Sequence, residues 1–405
     1  MSDANLRVFS LHPLTPLMFR TPKPFDLGES AESLYLPQPG TIVGMIRSAI
    51  WEALNKSFDP HELSKKPEFT GVYLIDGEFK TTYNFKWRLV GPYLYKYKGN
   101  DKGVYYPLPL DVFVVEQASN TCKRKRIFDL VIPHEKSMRE LSDLFGIMGS
   151  PMPATQKYLR ELLTKKIKRM PNVFIHIDDM KRLLNIAYEE RSEDHPIIKE
   201  VRIKQVRDIF RRYEEPHVKL DRQKKTVEMY EGKGLYFTTR RVILNEDWRI
   251  IFGLVSLEDE LENYFDKLNN RIARLGGEGG LVRIQEEKNI RFIEYQYFQN
   301  LDQEVDKRLK LVIASPTPLI NDSGDDTWYP PKLGVPRYYA IRQTLVGGWD
   351  YCKQMPKPLH RGIGDGSVYC YELKNRFTYR DLILDRIHVP EEFRGAYGSV
   401  LIGKW

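Results

Sequence analysis

Two glycine clusters carry the residue types best suited to chemistry. The first is Leu275–Gly–Gly–Glu–Gly–Gly–Leu281, which supplies Gly276, Gly277, Gly279 and Gly280 and is preceded by Arg274. Glycines without side chains let backbone N–H donors come close to a phosphate. The same run also reads as a helix stop followed by a turn. Arg274 would bridge a phosphate to that turn, or stand as surface charge at a helix end. The second cluster is Arg361–Gly–Ile–Gly–Asp–Gly366. Here Arg361 would meet a phosphate, while Gly362 and Gly364 allow close approach. It is not G-x-G-x-x-G, and the segment after it reads as extended, so it makes no dinucleotide fingerprint. A phosphate-rich RNA backbone matches better: amides, Arg and Lys position phosphates, and Tyr or Phe stacks on splayed bases.

Other chemistries find less support. The eight histidines are scattered, and none forms HExxH, HxH or a Cys/His zinc pattern. The adjacent carboxylates Asp178–Asp179 and Asp325–Asp326 read as solvated turns. No metal site and no cofactor are therefore expected. A G-x-x-x-x-G-K-[ST] loop is absent, so nothing argues for an NTPase. Metal-independent RNA cleavage would need an acid or base, and His12 and His360, both in loop-like sequence, are the candidates. Neither has a visible partner.

These residues need a scaffold. With 405 residues, two domains are expected. An apolar share of 41% excludes a wholly disordered chain. The formal charge of +8 permits a polyanionic partner. Cys122, Cys352 and Cys370 form no CxxC pair, and their odd count points to a reducing compartment, the cytoplasm. The first residues lack the pattern of a signal peptide, and no window approaches eighteen uncharged apolar residues. A membrane partner is not expected.

The periodicity predicts a first strand at 6–11. A helix capped by Thr41 follows, with Ile42, Ile46, Ala49, Ile50 and Ala53 on one face and Gly44, Arg47, Ser48 and Trp51 on the other. Strands are expected at 69–75, 83–90, within 105–116, at 235–244, 249–257 and 309–315. An amphipathic helix is expected through Tyr158–Ile167, after the basic run 123–126. Residues 189–226 read as a projecting hairpin or loop. A further helix is expected after Ser256, lined by Leu261, Tyr264, Phe265, Leu268, Ile272 and Leu275 and stopped by Gly276. The expected class is α+β, with domains at 1–235 and 236–405 and a charged insertion near 117–230 in the first.

Several separated segments resemble one family. They are HPLTPLMFRTPKPFD (12–26), LPQPGTIVGMIRSAIW (36–51), YYPLPLDVFVV (105–115), RLGGEGGLVRI (274–284) and the last glycine-containing strands. Together, and in this order, they resemble the Cmr3 family, a Cas5-like member of the RAMP superfamily in type III-B CRISPR effector complexes. Another Cas5-like or Csm4-like type III subunit is the alternative assignment.

The resemblance implies two modified ferredoxin-like (RRM-like) domains with long insertions. It implies binding of the guide RNA's 5′ tag by a non-catalytic structural subunit. The implied partners are a Cas10-family subunit, a neighbouring backbone RAMP subunit and, in the assembled complex, target RNA. The resembling segments place Arg20, Lys23, Arg47, Arg274, Gly276, Gly277, Gly279 and Gly280 near RNA or a domain interface. Arg361, Gly362 and Gly364 join them. The central insertion is expected to shape RNA or a subunit surface. A repeat-RNA processing endonuclease and a protein-only assembly scaffold are the competing functions.

Overall fold

The computed structural model describes residues 5–21, 30–31, 33–54, 72–75, 78–81, 86–117, 127–131, 167–168, 172–186, 197–218, 220–221, 226–227, 229–230, 233–234, 236–277, 279–319, 328–350 and 355–405. The main elements are β1 (Leu6–Pro13), α1 (Pro39–Ala53), β2 (Trp87–Lys96), β3 (Gly103–Pro107), β4 (Val173–His176) and β5 (Ile203–Gln205). Next come β6 (Phe210–Val218), β7 (Tyr236–Leu244), β8 (Trp248–Ser256), β9 (Ile272–Arg274) and β10 (Leu281–Glu286). The C-terminal half contributes β11 (Arg308–Ile313), β12 (Tyr338–Ala340), β13 (Val368–Glu372) and β14 (Val400–Lys404). The class is α+β, with mostly antiparallel sheets and few helices.

An eight-stranded antiparallel sheet runs β5-β4-β3-β2-β8-β1-β10-β9. β1 lies between β8 and β10, pairing Leu11 with Ile250 on one side and with Ile284 on the other. The expected boundary at 235/236 therefore falls inside the chain that builds this sheet. Local periodicity carries no record of such long-range pairing, so a strand that completes an earlier sheet reads like the start of a new unit.

Alternation along β1 sends Phe9 and Leu11 to one face and Leu6, Val8, Ser10 and His12 to the other. The first face packs under α1, whose Ile42, Ile46, Ala49 and Ile50 are buried with Phe252 and Ile284. Each fully buried isoleucine there contributes about 1.5–3 kcal/mol. α1 begins at Pro39 rather than at Thr41, with Gln38 as N-cap. Proline's fixed φ suits the first helical turn, where its missing N–H costs nothing. Trp51, expected on the outer face, is buried. A Cβ on Gly44 would meet nothing within 4 Å, so this is an open surface glycine.

Two expected helices change. Residues 157–166 and the basic run 123–126 lie outside the described residues, and Ile167–Lys168 are strand. The helix after Ser256 shrinks to a short turn and Glu262–Asp266. Asn270 has φ 61°, a left-handed conformation that ends any helix, and Ile272 then enters β9. Leu261, Phe265, Leu268 and Leu275 are buried as a helical stripe would be, but Ile272 is 51% exposed. Of the stretch 189–226, Phe210–Val218 is strand β6, and its partner is β7, outside that stretch, paired from Phe210↔Leu244 to Val218↔Tyr236.

The other face of the sheet joins the C-terminal half, where β12-β13-β11-β14 form a second antiparallel sheet. Val8, Tyr93, Tyr106 and Ile251 share one core with Leu309, Leu311, Tyr369 and Tyr371. Polar ties cross this junction. Lys310 Nζ pairs with Asp111, both side chains 1% exposed. The buried Glu294 carboxylate accepts from the hydroxyls of Tyr93 and Tyr106. Arg386 donates to the carbonyls of Leu89, Arg394 and Tyr397. Each of these three groups is held by polar partners, as low-dielectric surroundings require. Among the described residues no helix is long and apolar enough to cross a membrane.

Candidate nucleic-acid interface

The segment after β1 and the first glycine cluster meet in space. Leu14 N donates to Leu281 O, Leu281 N to the Thr15 hydroxyl, and Gly277 N to Met18 O. A Cβ on Gly276, which has φ +78°, would stand 2.2 Å from Met18 O. One on Gly280 would stand 2.8 Å from Leu275 O. These glycines let two chain segments of the same molecule approach. Gly277 and Gly279 are exposed, and a Cβ there would find Met18 O at 3.9 Å and nothing, respectively. Gly276→Ala is therefore expected to cost about 2 kcal/mol or more of stability, from strain at positive φ plus a backbone clash. Gly277→Ala should cost under ~1 kcal/mol. Urea denaturation midpoints of the two variants measure the difference.

The second glycine cluster also packs internally. A Cβ on Gly362 would meet Thr317 O and Val346 Cγ2 at 2.9 Å, and one on Gly364 would meet the Arg342 side chain. Arg361 is exposed, its guanidinium 6.0 Å from the Trp328 ring. Arg20 is exposed beside the glycine corner, and Arg47 is half-buried on α1. Lys23 lies outside the described residues.

Arg274 leads to a site that the sequence reading missed. β9 and β10 pair Ile272 with Arg283, and β10 and β1 pair Arg283 with His12. On the far side of β1 lies β8, whose Arg249 is paired with Tyr95 of β2. Tyr95, Arg249, His12, Arg283 and Ile272 thus form one row across five strands, all on the face opposite α1. The next row on that face is Tyr93, Ile251, Ser10 and Gln285, of which the first three are buried beneath the C-terminal half. The core cover thins across these two rows: Tyr95 still packs against it, while Gln285 of the inner row is already exposed. Beyond it Arg274, Arg283, Gln285 and Ile272 are exposed, and Tyr95, Tyr97, His12 and Arg249 are half-buried.

Hydrogen bonds fix the middle of the row. Arg249 Nε donates to His12 Nδ1 at 3.0 Å, Nη1 donates to the Glu246 and Trp248 carbonyls, and Nη2 donates to the Tyr97 hydroxyl at 3.2 Å. Its guanidinium lies 4.4 Å from the Tyr97 ring centroid, and Lys98 Nζ lies 5.3 Å from the same ring. Since the arginine nitrogen is always a donor, His12 Nδ1 is an acceptor and the ring's proton sits on Nε2. Nε2 is 3.0 Å from the Ser10 hydroxyl, which donates to Glu287 at 2.6 Å. Burial, and then the charges of Arg249 and Arg283, pull the His12 pKa below its usual range. His12 is a strand residue with both nitrogens engaged, not the loop residue its sequence suggested.

The arrangement presents three arginines, a lysine and two tyrosines on an open antiparallel sheet end. Guanidinium, ammonium and phenol groups so placed are the types that can hold phosphate oxygens and stack on bases. Sequence signals for it existed in hindsight: Arg283 stands between the buried Val282 and Ile284, and Arg249 follows the buried Trp248. His360 sits in the C-terminal half, its ring edge-on to Phe393 at 5.0 Å. Among the described residues no group of three His, Cys, Asp or Glu could hold a metal.

The sequence profile described as CRISPR-associated protein (Cas_Cmr3) matches residues 9–405. No curated protein matches the chain. A chain in the cryo-EM structure of the type III-B Cmr-beta bound to cognate target RNA is 16% identical, over 90% of this chain and 86% of that one, with a TM-score of 0.45. A chain in the crystal structure of the Csm3–Csm4 subcomplex of the type III-A CRISPR-Cas interference complex is 13% identical, over 98% and 99%, with a TM-score of 0.40.

Proposed function

The chain belongs to the CRISPR-associated Cas_Cmr3 family, and from that premise we propose that it is the subunit that holds the 5′ tag of the guide RNA in a type III-B CRISPR RNA-targeting complex. One observation carries this reading: the row Tyr95–Arg249–His12–Arg283–Ile272, with Arg274 and Tyr97 beside it, at the uncovered end of the large sheet. Phosphate contacts from the arginines supply affinity, and a splayed base against an aromatic ring supplies preference for the tag. Fixing the tag sets where the guide begins, and neighbouring subunits act on the paired target. In this reading the partners are a Cas10-family subunit, a backbone RAMP subunit and target RNA, and the location is the cytoplasm. We place the division between the two RRM-like units after Glu286, where the large sheet is complete, and before Arg308.

The role is binding rather than chemistry. Among the described residues His12 is the only histidine of the row, and its Nδ1 already accepts from Arg249. Taking a proton there would bring two cations together, so His12 is poorly built to be a general base. This weighs against the endonuclease alternative. A scaffold without RNA contact leaves the arginine row unexplained.

The test uses the purified full chain and guide RNA with and without its tag, titrated with salt. Tag-dependent binding and intact RNA, with or without divalent ions, are expected. Equal affinity for both RNAs would remove the tag assignment. Specific cleavage lost on His12→Ala would establish the endonuclease instead.

A further inference from the structure

We infer that His12 is a positioning residue for RNA: it fixes the guanidinium of Arg249 against Tyr97 so that its charge and last free donor meet a phosphate oxygen. The inference rests on the reading that this face holds RNA.

The donors of Arg249 can be accounted for one by one. A guanidinium has five N–H groups. Nε serves His12, the two Nη1 groups serve Glu246 O and Trp248 O, and one Nη2 group serves the Tyr97 hydroxyl. Among the described residues one Nη2 N–H is left over. A long arginine side chain normally loses rotamer freedom when it binds. Here that loss is already incurred before any ligand arrives, which favours binding.

His12 holds the Nε corner of this arrangement, and it is held in turn. Ser10 accepts from Nε2 and donates its own O–H to Glu287, so the chain Glu287–Ser10–His12–Arg249 has one direction. The charged and titratable groups around the ring are Arg249 on β8, Arg283 on β10, Glu287 reached through Ser10, and Tyr95 and Tyr97 on and just beyond β2. Among the described residues none of these accepts at Nδ1: Glu287 is reached through Ser10 on the Nε2 side, and the Tyr97 hydroxyl accepts from Arg249. The bond to Arg249 therefore exists only while His12 is neutral. Protonation would place two cations 3.0 Å apart and expel the guanidinium from its seat. The sign is opposite to that of a histidine that binds phosphate directly, which gains affinity as it gains charge.

The experiment measures affinity of the full chain for tag-bearing guide RNA by fluorescence anisotropy, from about pH 7.5 down to about pH 4.5, reaching below the ordinary histidine range because burial and two arginines hold the His12 pKa low. The variants are His12→Asn, His12→Ala and Arg249→Ala. The Asn amide oxygen replaces Nδ1 as acceptor and does not titrate. Wild type should lose about tenfold in affinity on acidification, the worth of one charge-assisted hydrogen bond. His12→Asn should bind more tightly than His12→Ala at neutral pH and stay flat across the range. His12→Ala should be weak throughout, close to Arg249→Ala. If wild type instead tightens in acid and His12→Asn does not, His12 contacts phosphate itself and the inference is wrong. The same follows if His12→Ala binds like wild type while Arg249→Ala is weak. If Arg249→Ala binds normally, the RNA reading of this face fails, and the inference with it.

Discussion

Replacing Arg249, Arg274 and Arg283 together by glutamine is expected to weaken guide-RNA binding by about a hundredfold or more. Each side chain lies on the open end of the large sheet, Arg283 in register with His12 and Arg274 opposite Leu281. One charge-assisted contact is worth about 1.5–3 kcal/mol, so three exceed a hundredfold even when contacts are imperfect. Single-stranded nucleic acid releases counterions with a salt slope of about 0.7 per phosphate neutralised, so the slope should fall by about 2. Surface charges that touch no phosphate would leave both the affinity and the slope nearly unchanged. A salt titration, with circular dichroism to confirm folding, separates the two outcomes. Arg20→Gln, at the exposed end of the glycine corner, should have a smaller effect because it stands outside the row.

Asp111→Ala should destabilise the protein by about 3–5 kcal/mol, the cost of leaving a buried charge unpaired. Lys310 is 1% exposed, and Asp111 Oδ2 is its anionic partner across the junction of the two halves. Total stability is on the order of 5–15 kcal/mol, so such a loss is a large fraction of it. The effect should be specific to breaking the pair. Asp111→Leu combined with Lys310→Met removes both charges and should recover most of the loss, because apolar groups of similar volume replace buried pairs at little cost. Denaturant midpoints of the single and double variants provide the measurement. Equal destabilisation in both would show that shape at this junction, not charge pairing, sets the stability.

Parts of this structure were legible in the residues. α1 could be read because its apolar spacing is local: Ile42, Ile46, Ala49 and Ile50 lie on one face of any helix that contains them. The charged stretch containing β6 was legible as lacking an apolar face, and β6 is exposed along most of its length, but its pairing with β7 was not. The segment 261–275 misled for a physical reason. Its leucines and Phe265 recur at helical spacing and are buried, but they reach the core from a short helix, a turn and a strand. Asn269–Asn270 broke the helix, and periodicity gave that pair no weight.

The site was half legible. Arg274 stood out beside the glycines. Arg249 and Arg283 did not, since each is one charged residue in an apolar strand, and only the register of β8, β1 and β10 places them in one row. His12 drew attention as an isolated acid or base. Its meaning depends on Arg249, which is 237 residues away. Glycine composition pointed to phosphate, while Gly276, Gly280, Gly362 and Gly364 each make room for the chain's own atoms.

The most direct test of the central claim places a photoreactive phenylalanine at Gln285, an exposed position on the same sheet face as His12 and Arg283. The variant is assembled with its partner subunits and guide RNA, irradiated, and the crosslinked nucleotides are mapped. The account predicts crosslinks confined to the 5′ tag of the guide. Crosslinks to the remainder of the guide, or to protein alone in a complex that still holds its guide, would contradict it.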